Sequence, residues 1–177
     1  VYPYNAFRYW EGTVAHMYSD PMQGGRFDML GPIITAAKTT SQDKSFSFKN
    51  LLGLIHFKID HDHDMIRAVI VKSNGREPLT GTFTVDCAAD TPEVTVTEGQ
   101  YFSSIHANSG IGGGDFYLSL FPGTYAEGFT FEFISLDGRI ASVSLDRSVT
   151  IEAGHIYPIG TLGGVDWEYI NDNPYNL

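Results

Sequence analysis

Carboxylate and imidazole side chains alternate over five consecutive residues, a composition that suits a metal site. Asp60, Asp62 and Asp64 match the first, third and fifth positions of a calcium-binding loop. Such a loop needs glycine at its sixth position and a bidentate glutamate at its twelfth, where this sequence has Met65 and Val71. A solvated turn between two strands explains the run as well. The three aspartates are therefore candidate metal ligands, and the sequence predicts no resident metal or other cofactor.

The candidate nucleophiles lack the neighbours that catalysis requires. Ser109 is not part of a Gly-x-Ser-x-Gly elbow, and Cys87 falls on the inward phase of a predicted strand, where a thiol is usually inert. The glycines between Gly110 and Gly114 precede a predicted strand rather than a helix, and Asp115 beside them would repel phosphate, so we interpret them as a flexible loop. The sequence therefore predicts a protein that is not an enzyme.

Several aromatic residues fall outside the predicted strands, where they could stack on sugar rings. The two tryptophans, Trp10 and Trp167, are the candidate ligand-binding residues among them. Aromatic side chains in such positions also plug the ends of β-sandwiches, and the sequence leaves both interpretations open. The set comprises Tyr9, Trp10, Tyr101, Phe102, Tyr125 and Trp167.

Composition narrows the class of protein before any fold is considered. The 177 residues include 11 Lys and Arg against 21 Asp and Glu, a formal net charge of −10, which argues against nucleic acid as a partner. A single cysteine, Cys87, excludes an intramolecular disulfide and the cysteine-based structural zinc patterns. The aromatic content of 14% and the 19 glycines favour strands and turns over helices.

Apolar residues recur with the period of β-strands along most of the chain. Residues 46–59 predict a central strand that changes phase near residues 50–53, and Asn74-Gly75 and Asp137-Gly138 predict hairpins. The first 45 residues predict loops with one or two short strands. We expect an all-β fold of about nine strands, an antiparallel β-sandwich with Greek-key links, with a barrel as the main competitor. Residues 1–162 would form this domain and residues 163–177 a tail or an added strand.

Several of these segments resemble the fimbrillin-like surface proteins of Bacteroidales, which are surface lipoproteins similar to the subunits of type V pili. The resemblance covers roughly residues 1–162 and lies in apolar spacing and turns rather than in a catalytic signature. The segments that carry it are residues 2–4, 48–59, 66–73, 78–83, 116–122, 137–138 and 151–162. It implies a transthyretin-like β-sandwich, exported as a lipoprotein and displayed on the outer membrane. The leader and lipid-bearing cysteine would precede Val1. It also implies subunits that join by donating a strand into a neighbour's groove.

The function predicted from this resemblance is a non-enzymatic structural or adhesion module of the cell surface, similar to an anchor, tip or accessory subunit of a fimbria. Its partners would be other fimbrial subunits or ligands on host or bacterial surfaces, and it would contact the membrane only through the lipid anchor. The alternative is a surface glycan-binding module of a gut bacterium, for which exposed, coplanar aromatic rings near Trp10 or Trp167 would be the structural sign.

Overall fold

A computed structural model describes residues 6–23, 33–39, 42, 45–59, 66–111, 113–163 and 168–169. Every element in these ranges is a strand, so the all-β prediction is confirmed, but the expected single sandwich of about nine strands is wrong. The described residues form 17 strands in five sheets. In chain order these are β1 (Phe7–Glu11), β2 (Val14–Ser19), β3 (Met22–Gln23), β4 (Thr35–Ala36), β5 (Lys49–Asn50), β6 (Gly53–Ile59), β7 (Ile66–Ser73), β8 (Thr80–Asp86), β9 (Thr95–Gln100), β10 (Phe102–Ile111), β11 (Gly114–Leu120), β12 (Gly123–Tyr125), β13 (Phe129–Ser135), β14 (Arg139–Leu145), β15 (Val149–Ile151), β16 (Ile156–Leu162) and β17 (Glu168–Tyr169).

The sheets are mainly antiparallel. The largest has the order β17-β14-β13-β7-β10-β3, and the next has the order β1-β2-β8-β9. A three-stranded sheet, β11-β6-β16, and two small sheets, β12-β15 and β4-β5, complete the described part. Only β10 with β3 and β16 with β6 pair in parallel among these strands. Two residues of the predicted tail form β17, which pairs with β14 at the edge of the six-stranded sheet.

The predicted central strand over residues 46–59 is divided between two sheets. Lys49 and Asn50 form β5 and pair with β4, whereas β6 pairs with β11 and β16. The change occurs where the phase shift was predicted, at Leu51 and Leu52. A Cβ on Gly53 would lie 2.7 Å from the main-chain oxygen of Glu152 and would also collide with the Ile151 side chain. This close approach explains why the strand resumes at a glycine.

One of the two predicted hairpins is wrong. Asp137-Gly138 does connect the antiparallel pair β13–β14, and Gly138 has a φ of 85°. Asn74-Gly75, in contrast, leads from β7 in the six-stranded sheet to β8 in the four-stranded sheet, because residues 76–79 carry the chain from one layer to the other. The main-chain N–H of Asn74 instead donates to Gly128 O at 3.1 Å.

Two main hydrophobic clusters fill the molecule. The first lies between the six-stranded and three-stranded sheets, where Phe57 meets Phe131 edge-on with ring centroids 5.2 Å apart. The second lies between the four-stranded sheet and β4–β5, where Phe83 meets Phe121 edge-on at 5.4 Å. The packing therefore consists of two layered units joined by continuous segments of chain rather than one sandwich.

Tyr125 was predicted outside the strands, but it ends β12 and is 1% exposed. Its hydroxyl donates to Phe121 O at 2.7 Å and lies 3.2 Å from Pro78 O. Burial, with a smaller contribution from nearby Glu77, raises the pKa of this phenol far above its ordinary value. The residue therefore ties the chain after β11 back to its own turn, as a buried tyrosine does at the corner of many β-sandwiches.

Glu77 links the turn after β7 to the turn after β12. Its carboxylate accepts hydrogen bonds from the Ser73 hydroxyl and, at 3.1 Å, from the Ala126 main-chain N–H. The Ser73 bond is the main reason that the pKa of Glu77 lies below its ordinary value of 4.5. Neighbouring Arg76 has a φ of 62°, so the turn depends on a conformation that few side chains adopt.

This pKa predicts a contribution to acid sensitivity. Because the folded pKa is lower than that of the unfolded chain, the stabilisation is complete above the unfolded value and is lost as pH falls through the folded one. The urea midpoint of Glu77→Gln should therefore fall less steeply than that of the wild type between about pH 6 and pH 3. Parallel acid limbs for the two proteins would show that Glu77 has no such role.

Candidate functional site

The β1–β2 hairpin presents the most exposed aromatic residues of the four-stranded sheet. It turns through Gly12 and Thr13, and Gly12 has the positive φ, 61°, that the common two-residue hairpin turns require at their first position. β1 forms one edge of the sheet and pairs with β2 alone in the described part of the chain. We name this strand, with the side chains of β2 that contact it, the β1 edge.

On the solvent face of the β1 edge, side chains are held in pairs. Tyr9 is opposite His16, and their rings stack with centroids 4.1 Å apart and planes 14° from parallel. His16 Nε2 lies 3.2 Å from a carboxylate oxygen of Glu11. The guanidinium of Arg8 lies over the Tyr18 ring, 4.9 Å from its centroid. These contacts fix the rings on the open face while Tyr9 stays 55% exposed.

Trp10 belongs to the opposite face. It pairs with Ala15, which is fully buried, and its ring lies 5.3 Å from the Phe7 ring at an angle of 45°. Successive residues of a strand point to opposite faces, so Tyr9 and Trp10 do not form one flat platform. Trp10 borders the second hydrophobic cluster through Phe7 and is still 50% exposed.

The main chain at Trp10 is directed outward. Glu11 and Val14 close the two-residue turn, and in such a hairpin the closing pair exchanges hydrogen bonds. Because antiparallel ladders alternate, the next residue, Trp10, directs its N–H and C=O away from β2. The β1 edge therefore presents a donor and an acceptor at the same residue that exposes an indole ring.

The other sequence-predicted site residues are distributed as follows. Asp60, Asp62, Asp64 and Trp167 lie outside the described residues, so their roles stay predictions. Among the residues that the structure describes, no group of three His, Cys, Asp or Glu side chains is placed to hold a metal ion. In the same ranges, no helix has the length and hydropathy to cross a membrane.

Two smaller predictions need correction. Cys87 follows β8 and is only partly buried at the border of the second cluster, and burial raises the pKa of its thiol. The glycine-rich stretch is not simply a loop, because Gly110 and Ile111 end β10 and Gly114 begins β11. The Tyr9–His16 pair was missed, although the single glycine at residue 12 between two alternating segments was a usable signal for the hairpin.

Comparison with known proteins gives a fold likeness. No protein-family model matches the chain, and no curated protein matches it. A solved structure from Bacteroides uniformis ATCC 8492 is 16% identical, covers 94% of this chain and 68% of its own, and has a TM-score of 0.55. One from Bacteroides ovatus ATCC 8483 is 14% identical over 92% of this chain and 71% of its own, with a TM-score of 0.49. Both are described as a “putative cell adhesion protein”. The chain shares the fold of the Bacteroides uniformis structure.

Proposed function

We propose that this chain is a non-enzymatic structural or adhesion module of the cell surface, similar to an anchor, tip or accessory subunit of a fimbria, that assembles by strand addition. The fold it shares with the Bacteroides uniformis protein supports an adhesion role. The two layers around the first cluster are compatible with the transthyretin-like sandwich that the resemblance implies. The proposal includes an outer-membrane location through a lipid anchor outside this sequence.

The observation that carries the proposal is the β1 edge. A strand added beside β1 would pair with the outward N–H and C=O of Trp10. Side chains of that strand would meet Tyr9 on one face and Trp10 on the other, since both rings are about half exposed. Exposed edge strands are sites of pairing between chains unless charge, proline or a bulge protects them. Here the register shift lies at the start of β1, between Phe7 and Tyr9, and the segment from Tyr9 to Glu11 is regular.

Replacing Trp10 by proline should abolish self-association of the chain. Proline removes the outward N–H at this position but no hydrogen bond to β2, so the hairpin should persist. Trp10→Ala is the matched control, because it removes the same ring and keeps the N–H. Light scattering of concentrated samples should show association for the wild type, weaker association for Trp10→Ala and none for Trp10→Pro.

Thermal unfolding of both variants checks that the fold is retained. Equal association of Trp10→Pro and Trp10→Ala would show that only the side chain matters and would contradict pairing through the main chain. A wild-type chain that stays monomeric at about 1 mM would contradict strand addition between copies of this protein.

A further inference from the structure

The outer face of the six-stranded sheet carries a cleft that the proposed function does not use. β10 lies between β3 and β7, and Ser104 is opposite Met22 on one side and Ile70 on the other. The cleft has a volume of about 380 Å³, and all three residues line it together with Tyr101. We name it the Tyr101 cleft. It is on a different sheet from the β1 edge.

The floor and walls of the Tyr101 cleft are apolar and partly aromatic. Ile70, only 6% exposed, and Phe102 line it together with Tyr101 and Met22, which is 62% exposed. The rings of Tyr101 and Phe102 meet nearly at right angles, with centroids 6.0 Å apart. The guanidinium of Arg76 lies 5.3 Å from the centroid of Tyr101 and helps to hold that ring. The cleft therefore offers two aromatic rings in contact with each other, together with the aliphatic side chains of Ile70 and Met22.

Polar groups lie together at one part of the cleft. The Ser104 main-chain N–H donates to Pro21 O at 2.7 Å, and its hydroxyl lies 3.5 Å from the same oxygen. His106 Nε2 lies 3.0 Å from that hydroxyl. With the hydroxyl hydrogen directed to Pro21, Nε2 is the donor to Ser104, which makes Nδ1 the acceptor of the ring. Burial, with a contribution from Arg67, lowers the pKa of His106, so the ring is neutral at neutral pH.

Among the described residues that line the cleft, one carries a full charge, and that side chain is paired. Lys72 lines it, and its ammonium lies 2.6 Å from a carboxylate oxygen of Glu132 on the neighbouring strand. Both side chains are largely buried, with 26% and 18% exposed. A ligand with a net charge would compete with this ion pair, which argues for an uncharged ligand. The cleft can therefore bind a ligand through apolar contacts and through hydrogen bonds to neutral groups.

We propose that the Tyr101 cleft binds a saccharide ring of a neutral glycan. A pyranose ring has an apolar face of C–H groups for the aromatic and aliphatic surface, and hydroxyls for His106 and Ser104. An acyl chain or an apolar side chain would offer no hydroxyl to the Nδ1 acceptor of His106, and a buried unpaired polar group is costly. The inference does not depend on strand addition, because the two sites lie on different sheets.

The test is a titration of the full chain with a panel of methyl glycosides and neutral trisaccharides. Binding is measured by saturation-transfer NMR at ligand concentrations up to about 10 mM. At least one saccharide should bind. Tyr101→Ala should weaken its binding at least about tenfold. Phe48→Ala, which truncates an exposed aromatic side chain that does not line the cleft, should leave binding within about twofold. Met22→Arg should also block binding, because it fills the cleft from an exposed position without removing core packing.

Three results would overturn the proposal. The first is a panel in which no saccharide binds. The second is binding that survives both Tyr101→Ala and Met22→Arg in folded variants, as judged by thermal unfolding. The third concerns dodecanoate, an acyl-chain probe. The proposal fails if dodecanoate binds, if Met22→Arg abolishes that binding and if no saccharide competes with it.

Discussion

Replacing Gln23 by alanine is expected to lower the free energy of unfolding by about 2–4 kcal/mol, a large effect for a polar residue. The Gln23 side chain is 9% exposed and joins two sheets. Its Nε2 donates to Ser119 O, and the Ser119 N–H donates to its Oε1, both at 2.8 Å. Alanine would leave both main-chain groups of Ser119 buried without a partner. Urea unfolding followed by tryptophan fluorescence measures the loss.

The neighbouring residue provides the control for this prediction. Met22 shares the two-residue strand β3 with Gln23 but is 62% exposed, so Met22→Ala should change stability by less than about 0.5 kcal/mol. Gln23→Glu has nearly the same shape but cannot donate to Ser119 O when it is ionised, so it should resemble Gln23→Ala. If Gln23→Ala and Met22→Ala unfold at the same urea concentration, the role assigned to the Gln23 amide is refuted.

Gln23 also shows how unequally this protein protects its sheet edges. β11 is an edge of the three-stranded sheet, and the Gln23 amide occupies the main-chain groups of Ser119 that a foreign strand would use. The opposite edge, β16, contains Pro158 and a register shift between Pro158 and Gly160. Both devices discourage pairing between chains. The regular part of β1 has neither, which is why strand addition is proposed at the β1 edge.

The sequence predicted the inward face of the long strands well. Phe129, Phe131 and Phe133 alternate with polar residues, and all three are buried at 0–1% exposure in β13. Apolar and polar residues alternate here over enough positions that the sequence alone identifies the buried face of the strand. The hairpin at Asp137-Gly138 was also predictable, because the two strands that flank it, β13 and β14, pair with each other.

The number of strands could not be predicted, because many of them are defined only by distant partners. β3, β4, β5 and β17 have two residues each, too few for any periodicity. Asn74-Gly75 shows the same limit at a turn. The turn itself is local, but β7 and β8 pair in different sheets, and that choice depends on strands far away in the sequence.

The candidate sites were predictable only by residue type. Trp10 was singled out as a large aromatic residue, but its outward main chain follows from the register with β2. The Tyr101 cleft combines residues from β3, β7 and β10, and only the pairing of these strands brings Met22 beside Ser104. Gln23 has no sequence signal at all, since its partner is 96 residues away.

Alanine at Phe57 or at Phe83 is expected to lower the free energy of unfolding by about 3–5 kcal/mol in either case. Both rings are fully buried, and each makes an edge-on contact, Phe57 with Phe131 and Phe83 with Phe121. The surrounding strands are fixed in their sheets and can close the resulting cavity only in part. Urea unfolding gives the free energy, and calorimetry shows the number of transitions.

The two variants probe different hydrophobic clusters, yet both should shift one and the same transition. The clusters share continuous segments of chain, since Leu120 packs in the first and Phe121 in the second. Loss of either cluster would therefore release strands that the other needs, which makes unfolding a single cooperative event. Calorimetry of Phe83→Ala should show one peak at a lower temperature. A low-temperature peak beside an unshifted one would mean that the clusters unfold separately, against the single domain predicted for residues 1–162.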